Sequence, residues 1–260
     1  MSKKKIIGVI PSRMKATRFP DKPLFELDHV PMIGHVYMRS KLSGIYDRLV
    51  VATCDQEIGD YIESIGGEYV MTKDTHERAT DRTAEAVDII EENEGISFDV
   101  ISMIQGDEPL LVPQMLVDVN QPLIDDDTLS VSNLTSEILE LEDQEDPNEV
   151  KVVFDKDWNA LYFSREAIPS RKKYDGDLKR YRQLGIISFQ RAFLRKYSTM
   201  EQTPLEIYES VDMMRVLENG YKIRMVETKF QSIGVDTPGD AARVEELIKN
   251  DPLISSYERS

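Results

Sequence analysis

Charged side chains follow an apolar, strand-like segment near the start of the chain. The run Ile6 to Ile10 is apolar and β-branched, as in a buried parallel strand, and Pro11 ends it. Four cations come next: Arg13, Lys15, Arg18 and Lys22. Ligands of open α/β sheets bind at the carboxyl ends of the strands, so these cations suit a polyanion such as a nucleoside triphosphate. The alternative is an ordinary solvated basic loop, because the segment matches neither GxxxxGK[ST] nor GxGxxG.

Two aspartates follow apolar segments in distant parts of the chain. Asp107 comes after a predicted buried strand, and Asp236 follows Ile233-Gly234-Val235. Carboxylates brought together at one sheet edge are the usual oxygen ligands of Mg²⁺, which takes the rest of its shell from waters and substrate phosphates. Each has a plain structural alternative. Asp107 can be a turn residue, and Asp236, two residues before Pro238, can be the N-cap of the last helix.

The first half of the chain alternates strand and helix patterns. The predicted strands are residues 6–10, 48–53, 68–71 and 99–104, and the predicted helices are 32–42, 56–65 and 80–92. Strands separated by helical segments of this length indicate an α/β fold with a mostly parallel, doubly wound sheet. The loops after the first and fourth strands then open at the same edge of the sheet, which brings the cations close to Asp107.

The second half of the chain is richer in strands. A helix at 113–123 and a strand at 128–135 precede a predicted hairpin, with strands 150–155 and 160–163 around a turn at 157–159. A basic segment, 165–182, leads into a strand at 184–189, one or two helices within 205–219, a strand at 222–227 and a closing helix at 238–249. We interpret residues 1–260 as a single domain with a strand-rich insert at approximately 155–200.

Composition restricts the partners and the compartment. The 260-residue chain has a formal net charge of -16, which disfavours binding to nucleic acid or to a membrane surface, since both are polyanions. Its single cysteine, Cys54, excludes an intrachain disulfide and fits a reducing compartment. No run of about 18 apolar residues is present, and the N-terminal apolar run is too short for a signal peptide. We therefore expect a cytoplasmic protein.

Five segments in order resemble one known family. Residues 10–13 (IPSR) and 17–24 (TRFPDKPL) resemble the opening IPAR…TRLPGKPL of the cytidylyltransferases that make CMP-Kdo, the activated form of the 3-deoxy-octulosonic acid Kdo. The segments QGDEP (105–109), NEVKVV (148–153), ALYFSR (160–165) and GVDTP (234–238) match further motifs of that family, so the resemblance covers nearly the whole chain.

This resemblance implies a fold, a reaction and a set of nucleotide contacts. The fold would be Rossmann-like, of the nucleotidyltransferase type, with the insert as a dimerisation lobe and a homodimer as the assembly. The enzyme would transfer CMP from CTP to the anomeric hydroxyl of Kdo or a related sugar acid and release pyrophosphate. Mg²⁺ would be the cofactor, held by Asp107 and Asp236, while Arg13 and Lys22 complete the catalytic set by holding the triphosphate. The nucleotide contacts would be Pro11, Ser12, Arg13, Lys22, Arg78 and Gln105.

The sugar side of the implied site departs from the family pattern. Its predicted contacts are Gln105, Arg165, Gln183, Ile187, Asp212 and Met213. Arg165 could pair with the sugar carboxylate bidentately. Where the family has SGT(D/E)R, H(I/L)GIY and LEQLR, this chain has RATDR (78–82), QLGII (183–187) and VDMMR (211–215). Fewer hydrogen-bonding groups in one pocket predict an acceptor with a hydroxyl replaced by an amine or by a less polar group.

Several residues and two other functions stay open at this point. Lys151 is either a second anion contact or an exposed strand residue, and the histidines show no metal-ligand spacing, with His35 in a packing or surface role. The protein could instead be a nucleotidyltransferase for another nucleotide or a phosphorylated acceptor. It could also be a non-catalytic nucleotide-binding homologue, although retention of Arg13, Lys22, Asp107 and Asp236 together counts against that.

Overall fold

The computed structural model describes residues 3–15, 19–174 and 176–257. Arg18, one of the four cations of the first loop, lies outside these residues. The strands are β1 (Ile6–Ser12), β2 (Glu26–Leu27), β3 (Val30–Pro31), β4 (Arg48–Thr53), β5 (Tyr69–Met71), β6 (Val100–Ile104), β7 (Val131–Glu137), β8 (Lys151–Phe154), β9 (Ala160–Ser164), β10 (Tyr181–Gln190) and β11 (Ile223–Thr228). The helices are α1 (Met32–Leu42), α2 (Gln56–Ser64), α3 (Ala79–Glu94), α4 (Pro113–Asp125), α5 (Leu141–Glu145), α6 (Arg191–Tyr197), α7 (Pro204–Glu209), α8 (Met213–Glu218) and α9 (Pro238–Ile248).

The chain forms two compact units. The first unit contains residues 1–117 and 232–260, and the second contains residues 118–231. The single domain with an insert at 155–200 stays a prediction.

The first unit is built on four parallel strands in the order β6-β1-β4-β5. Their residues are largely buried and β-branched, and helices α1, α2 and α3 lie between them in sequence, as expected for right-handed parallel crossovers. The α/β fold predicted from the alternating pattern is confirmed. The loops after β1 and β6 therefore leave the sheet at the same edge.

The first strand is longer than predicted, because Pro11 does not end it. Pro11 and Ser12 remain in register with Ala52 and Thr53 of β4. Pairing between β1 and β6 stops at Val9, so Pro11 lies where β1 has lost that neighbour in the sheet. A proline is tolerated in a strand where its missing N–H removes no ladder hydrogen bond.

An apolar cluster supports the loops at this edge. It joins residues of the β1 loop, of α1, of the segment after β6 and of α9: Phe19, Leu27, Met32, Leu110, Val235, Ala241, Val244, Ile248, Ile254 and Tyr257. Since these residues come from both ends of the chain, the closing segment of the protein packs against its first loop. Val235, directly before Asp236, is completely buried in this cluster.

The second unit combines parallel and antiparallel strands. Strand β7 pairs in parallel with β11 and antiparallel with β10, whereas β8 pairs antiparallel with both β10 and β9. The predicted hairpin is confirmed, with Trp158 at positive φ (61°) in its turn. Strand β10 is longer than predicted, and helix α6 was missed because its short sequence RAFLRKY carries little helical periodicity.

The part of the chain that the structure describes contains no helix that is both long enough and apolar enough to span a membrane.

Candidate functional site

A cavity of about 370 Å³ opens in the first unit, at the carboxyl edge of its strands. Its walls come from the loops after β1 and β6, the start of α3 and the segment before α9. The lining residues are Pro11, Ser12, Arg13, Lys15, Phe19, Lys22, Pro23, His76, Glu77, Arg78, Ala79, Arg82, Gln105, Gly106, Asp107 and Asp236. The cavity thus brings together every predicted catalytic and nucleotide contact: Pro11, Ser12, Arg13, Lys22, Arg78, Gln105, Asp107 and Asp236.

Lys22 connects the two predicted metal ligands. Its Nζ donates to Asp107 Oδ2 at 2.9 Å, to Asp236 Oδ1 at 3.4 Å and to the carbonyl oxygen of Val235 at 2.6 Å. Its side chain is 13% exposed, against 29% for Asp107 and 40% for Asp236. Burial by itself would lower the pKa of Lys22, but the attraction of the two carboxylates outweighs it and raises that pKa above 10.5. Lys22 is therefore a cation held by carboxylates.

The first turn of α9 decides between the two interpretations of Asp236. The N-cap of α9 is Thr237, which forms a reciprocal capping box with Asp240. The capping alternative for Asp236 is wrong, because its neighbour performs that function. The Asp236 carboxylate instead faces Lys22 in the cavity.

Close backbone contacts fix the position of Asp107. Its carbonyl oxygen accepts a hydrogen bond from the amide of Val235 at 2.9 Å, which ties the β6 loop to the segment before α9. A Cβ on Gly106 would lie 3.2 Å from the carbonyl oxygen of Pro11 and 3.0 Å from Ile33 Cδ1. Glycine at this position therefore lets the β6 loop approach the end of β1, and the two aspartates arrive from distant parts of the sequence at one point.

The remaining cations of the cavity come from the β1 loop and from the start of α3. Arg13 Nη1 donates to the carbonyl oxygen of His76 at 3.2 Å, which links the β1 loop to the segment before α3. Arg78 is the residue that precedes α3, and Ser12 lies at the end of β1. Lys15 is exposed at the cavity, so the basic loop contributes Arg13, Lys15 and Lys22 to one wall.

Sequence reasoning missed Arg82. This residue is 3% exposed, in the first turns of α3, and its Nη1 donates to Thr72 Oγ1 at 2.5 Å and to the carbonyl oxygen of Lys73 at 3.2 Å. Its Nη2 is buried without a hydrogen-bond partner. A buried guanidinium with an unused donor in a cavity wall is poised for an acceptor atom of a ligand. The signal in the sequence was a cation on the otherwise small, apolar face of α3.

His76 is a second lining residue without a sequence signal. Its Nε2 is paired with Glu85 Oε2 at 2.6 Å, across the start of α3. Burial would raise the pKa of Glu85, but hydrogen bonds from the Lys73 amide and from His76 lower it overall. This pair fixes the His76 backbone, whose carbonyl receives the Arg13 guanidinium.

The two carboxylates of the cavity fit a divalent cation whose remaining ligands come from a bound substrate. No cluster of three or more His, Cys, Asp or Glu side chains suited to a metal occurs in residues 3–15, 19–174 and 176–257. Two carboxylates are nevertheless what Mg²⁺ needs when waters and phosphate oxygens supply its other ligands. Asp107 and Asp236 could thus hold the ion together with a bound nucleotide.

The other predicted sugar contacts lie in the second unit. Arg165 donates from Nε to the carbonyl oxygen of Glu209 at 2.7 Å and from Nη1 to that of Pro147 at 2.8 Å. Gln183 Nε2 donates to Asn133 Oδ1 at 2.7 Å.

Helix α8 and strand β10 carry the remaining three predicted sugar contacts. Asp212 is the residue that precedes α8, and its carbonyl accepts from Tyr197 Oη at 3.3 Å. Ile187 and Met213 are 2% and 0% exposed, as in a packed core. Sugar binding by these residues and by Arg165 and Gln183 stays a prediction.

Lys151 fits neither interpretation made from the sequence. The residue is completely buried, and its Nζ donates to the carbonyl oxygens of Asp146, Glu149 and Arg165 at 2.5, 2.7 and 3.0 Å. All three ammonium protons are used, so none remains for an anion. Lys151 fastens the loop before β8 to the end of β9.

His35 has the predicted packing role. It is buried in α1, with Nε2 donating to the Leu27 carbonyl at 2.7 Å and Nδ1 lying 2.9 Å from Tyr257 Oη. Burial lowers the pKa of His35 below 6.5.

The parallel sheet and the cation–carboxylate cavity at its carboxyl edge define a nucleotide-using transferase of α/β fold. The sequence profile of the family described as Cytidylyltransferase matches residues 7–223. The chain belongs to this family and is a CTP-using nucleotidyltransferase.

Relatives and solved structures agree with this assignment. The 3-deoxy-manno-octulosonate cytidylyltransferase of Geobacter metallireducens is 41% identical over 94% of this chain and 98% of its own. That of Pelobacter propionicus is 42% identical over 94% and 97%. A solved CMP:2-keto-3-deoxy-manno-octonic acid synthetase complexed with CTP is 33% identical, with a TM-score of 0.86 over 95% of this chain and 99% of its own. A cytidylyltransferase from Leptospira borgpetersenii, 17% identical with a TM-score of 0.63, shares the fold.

Proposed function

We propose that this protein transfers CMP from CTP to the anomeric hydroxyl of Kdo. The observation that carries the proposal is the meeting of Lys22, Asp107 and Asp236 at one point of a cationic cavity. The relatives that share this chain over nearly its full length are named for that reaction. The proposal also includes Mg²⁺ as cofactor, a homodimer as the assembly and a cytoplasmic location, the last supported by a single cysteine.

In the proposed reaction the anomeric oxygen of the sugar attacks the α-phosphorus of CTP. The new bond joins that oxygen to phosphorus, the bond to the β-phosphate oxygen breaks, and pyrophosphate leaves with the bonding electrons. The hydroxyl proton passes to solvent. Catalysis of such a transfer is mostly positioning and neutralisation of charge.

The cavity residues supply both the positioning of the substrates and the neutralisation of charge. Arg13, with its planar fork, and Lys22, as a point charge, can neutralise the triphosphate oxygens, and Arg82 Nη2 offers a buried donor to an acceptor atom of the nucleotide. Asp107 and Asp236 would hold Mg²⁺, which when bound lowers the pKa of a coordinated hydroxyl and stabilises phosphate charge. A strong protein base is then not needed.

The altered sugar-side positions are a separate part of the proposal. Ile187 and Met213 are packed in the core of the second unit, and Gln183 is hydrogen-bonded to Asn133, so these three substitutions have structural partners. We therefore take Kdo itself as the acceptor. An amino- or deoxy-modified acceptor remains an alternative that the same assay measures.

The test is release of pyrophosphate with each of the four nucleoside triphosphates, Mg²⁺ and a panel of acceptors. The panel includes Kdo, an amino-modified and a deoxy-modified analogue, and a phosphorylated sugar. We expect turnover with CTP and Kdo together, and none with either alone. If a modified sugar has a higher specificity constant than Kdo, that sugar is the acceptor in place of Kdo. Turnover only with another nucleotide or with the phosphorylated sugar would refute the proposal.

A further inference from the structure

The Lys22 ammonium lies at the point that the two cavity carboxylates share. Its three protons have three acceptors: Asp107, Asp236 and the Val235 carbonyl. The first two acceptors are the groups that the proposed function assigns to a divalent cation. In this arrangement Lys22 is an intramolecular counterion for the carboxylate pair.

The carboxylates cannot easily move apart from each other. The Val235 amide donates to the Asp107 carbonyl at 2.9 Å, next to both side chains. Ser232 donates to the buried Glu108 carboxylate, which adds a second connection between the same two segments. The backbone therefore keeps two negative charges close together whatever cation lies between them.

A metal ion and the ammonium would compete for one position. Mg²⁺ binds carboxylate oxygens at about 2.1 Å, so an ion shared by both side chains would overlap the space of an ammonium 2.9 and 3.4 Å from the same oxygens. The two cations also repel each other. Metal binding through the two oxygens that accept from Lys22, Asp107 Oδ2 and Asp236 Oδ1, therefore requires the ammonium to leave.

The chain allows this movement. Lys22 begins a short 3-10 helix, where Pro23 restricts the backbone and Asp21 adopts a left-handed conformation (φ 57°). The backbone is thus fixed while the four-carbon side chain can rotate. Arg13 and Lys15 line the same cavity, so anionic phosphates attracted there would lie within reach of the displaced ammonium.

We propose that Lys22 occupies the metal position in the free enzyme and passes to the nucleotide phosphates when CTP and the metal bind. This inference rests on the proposed function, because it takes the cavity as the site of both ligands. Before the reaction, Lys22 neutralises the two carboxylates and keeps them close together. When the nucleotide binds, the ammonium moves to its phosphates, and the carboxylates become available to the metal. Nucleotide and metal then favour each other's binding, as linkage requires.

The experiment measures Mn²⁺ binding to the nucleotide-free protein by electron paramagnetic resonance, without reference to activity. Lys22→Met removes the competing charge and keeps the length of the side chain. We expect the variant to bind Mn²⁺ about ten-fold or more tightly than the wild type, the scale on which one adjacent charge changes proton binding. Lys15→Met is the matched control, since it removes a lysine of the same cavity that contacts neither carboxylate in the structure, and its Mn²⁺ affinity should stay within about twofold.

Thermal unfolding with and without Mn²⁺ provides the second measurement. Free Lys22→Met should melt below the wild type, because Asp107 and Asp236 lose the ammonium that they share, and Mn²⁺ should restore more stability to it than to the wild type. Lys22→Gln serves in place of Lys22→Met if the latter does not fold.

Equal or weaker Mn²⁺ binding in Lys22→Met and Lys22→Gln would overturn the inference. The double variant Lys22→Met/Asp107→Asn separates this failure from failure of the metal assignment. If the double variant still binds Mn²⁺ as tightly as Lys22→Met, the metal lies elsewhere and the proposed function loses its metal site. If it loses Mn²⁺ and the single variant shows no gain, only the counterion role of Lys22 is wrong.

Discussion

Two lysines, a partly buried one in the first unit and a completely buried one in the second, show how different partners give the same side chain different functions. Lys22 donates to two carboxylates and one carbonyl at the wall of a cavity. Lys151 donates to three backbone carbonyls and lies completely inside the protein. Carboxylates can exchange an ammonium for another cation. Backbone carbonyls that are shielded from water lose their hydrogen bond, at a cost in stability, if the lysine is removed. Lys22 is thus suited to ligand chemistry and Lys151 to holding loops together.

The arginines repeat this contrast. Arg165 donates to the carbonyls of Pro147, Glu209 and Ser210, although the sequence placed it at the sugar. Arg82, the last residue of the segment RATDR, keeps an unused buried donor in the cavity wall. The two arginines thus differ in the use of their donors, because Arg165 donates to three backbone carbonyls and Arg82 keeps Nη2 without an acceptor in the cavity wall.

The largest effect should come from the carboxylates of the cavity. Asp107→Asn and Asp236→Asn should each reduce turnover by on the order of 10³-fold, because an amide holds a divalent cation far less well than a carboxylate. Steady-state kinetics at saturating CTP and thermal melting check this. Near-normal turnover in either folded variant would remove that residue from the metal site.

Removal of the cavity lysine should affect the rate more than the fold. Lys22→Ala should reduce kcat/KM for CTP by about 10²-fold, the cost of losing one preorganised charge. We expect a cooperative unfolding transition and an intact circular dichroism spectrum. If only the KM for the sugar changed, Lys22 would not contact the triphosphate, and the contrast with Lys151 would disappear.

The opposite result is expected for the structural lysine. Lys151→Met should lower the free energy of unfolding by about 2–3 kcal/mol, because three partly buried carbonyls lose a charged donor. At a temperature where the variant is folded, its KM for CTP should match the wild type. Denaturant titration and steady-state kinetics measure the two quantities, and a raised KM with unchanged stability would contradict the assignment.

The unused donor of Arg82 predicts a smaller and more specific effect. Arg82→Lys keeps the charge but not the fork, and it should weaken CTP binding by about tenfold if Nη2 donates to the nucleotide. Isothermal titration with CTP is the measurement. Arg165→Lys is the control, for which we expect unchanged affinity. Equal CTP affinity in wild type and Arg82→Lys would mean that this donor has no ligand.

The smallest effect concerns the buried histidine of the first unit. Because the folded state lowers the pKa of His35 below 6.5, its neutral form is favoured, and the unfolded chain takes up the proton first. Stability is therefore unaffected above neutral pH and falls as the pH drops below about 6.5. Comparing pH profiles of stability for the wild type and His35→Gln measures this contribution, and parallel profiles would contradict it.

The local sequence pattern was sufficient to predict the helices and strands of the parallel half of the fold. Helix α1 and strand β4 have the predicted bounds. Helix α2 and strands β5 and β6 differ from prediction by one residue at one end, and α3 differs by one or two residues at both ends. Hydrophobic periodicity and breaker residues are sufficient to predict these elements, because each element is stabilised mainly by its own apolar face. Pro11 was misinterpreted as a strand end, since the sequence does not reveal which neighbours a strand keeps at its last residues.

The sequence by itself determined the α/β class, the family and eight of the residues that line the cavity: Pro11, Ser12, Arg13, Lys22, Arg78, Gln105, Asp107 and Asp236. The motifs show which side chains directly follow a strand, and the parallel topology then places those side chains at the carboxyl edge of the sheet. Only the tertiary structure decided that Asp236 faces Lys22 while Thr237 caps α9, that Arg82 has an unused donor and that Lys151 is fully satisfied. The Lys22–Asp236 pair joins residues 214 positions apart. The unused Arg82 donor and the three Lys151 acceptors depend on how the fold buries these side chains, which a one-dimensional pattern does not contain.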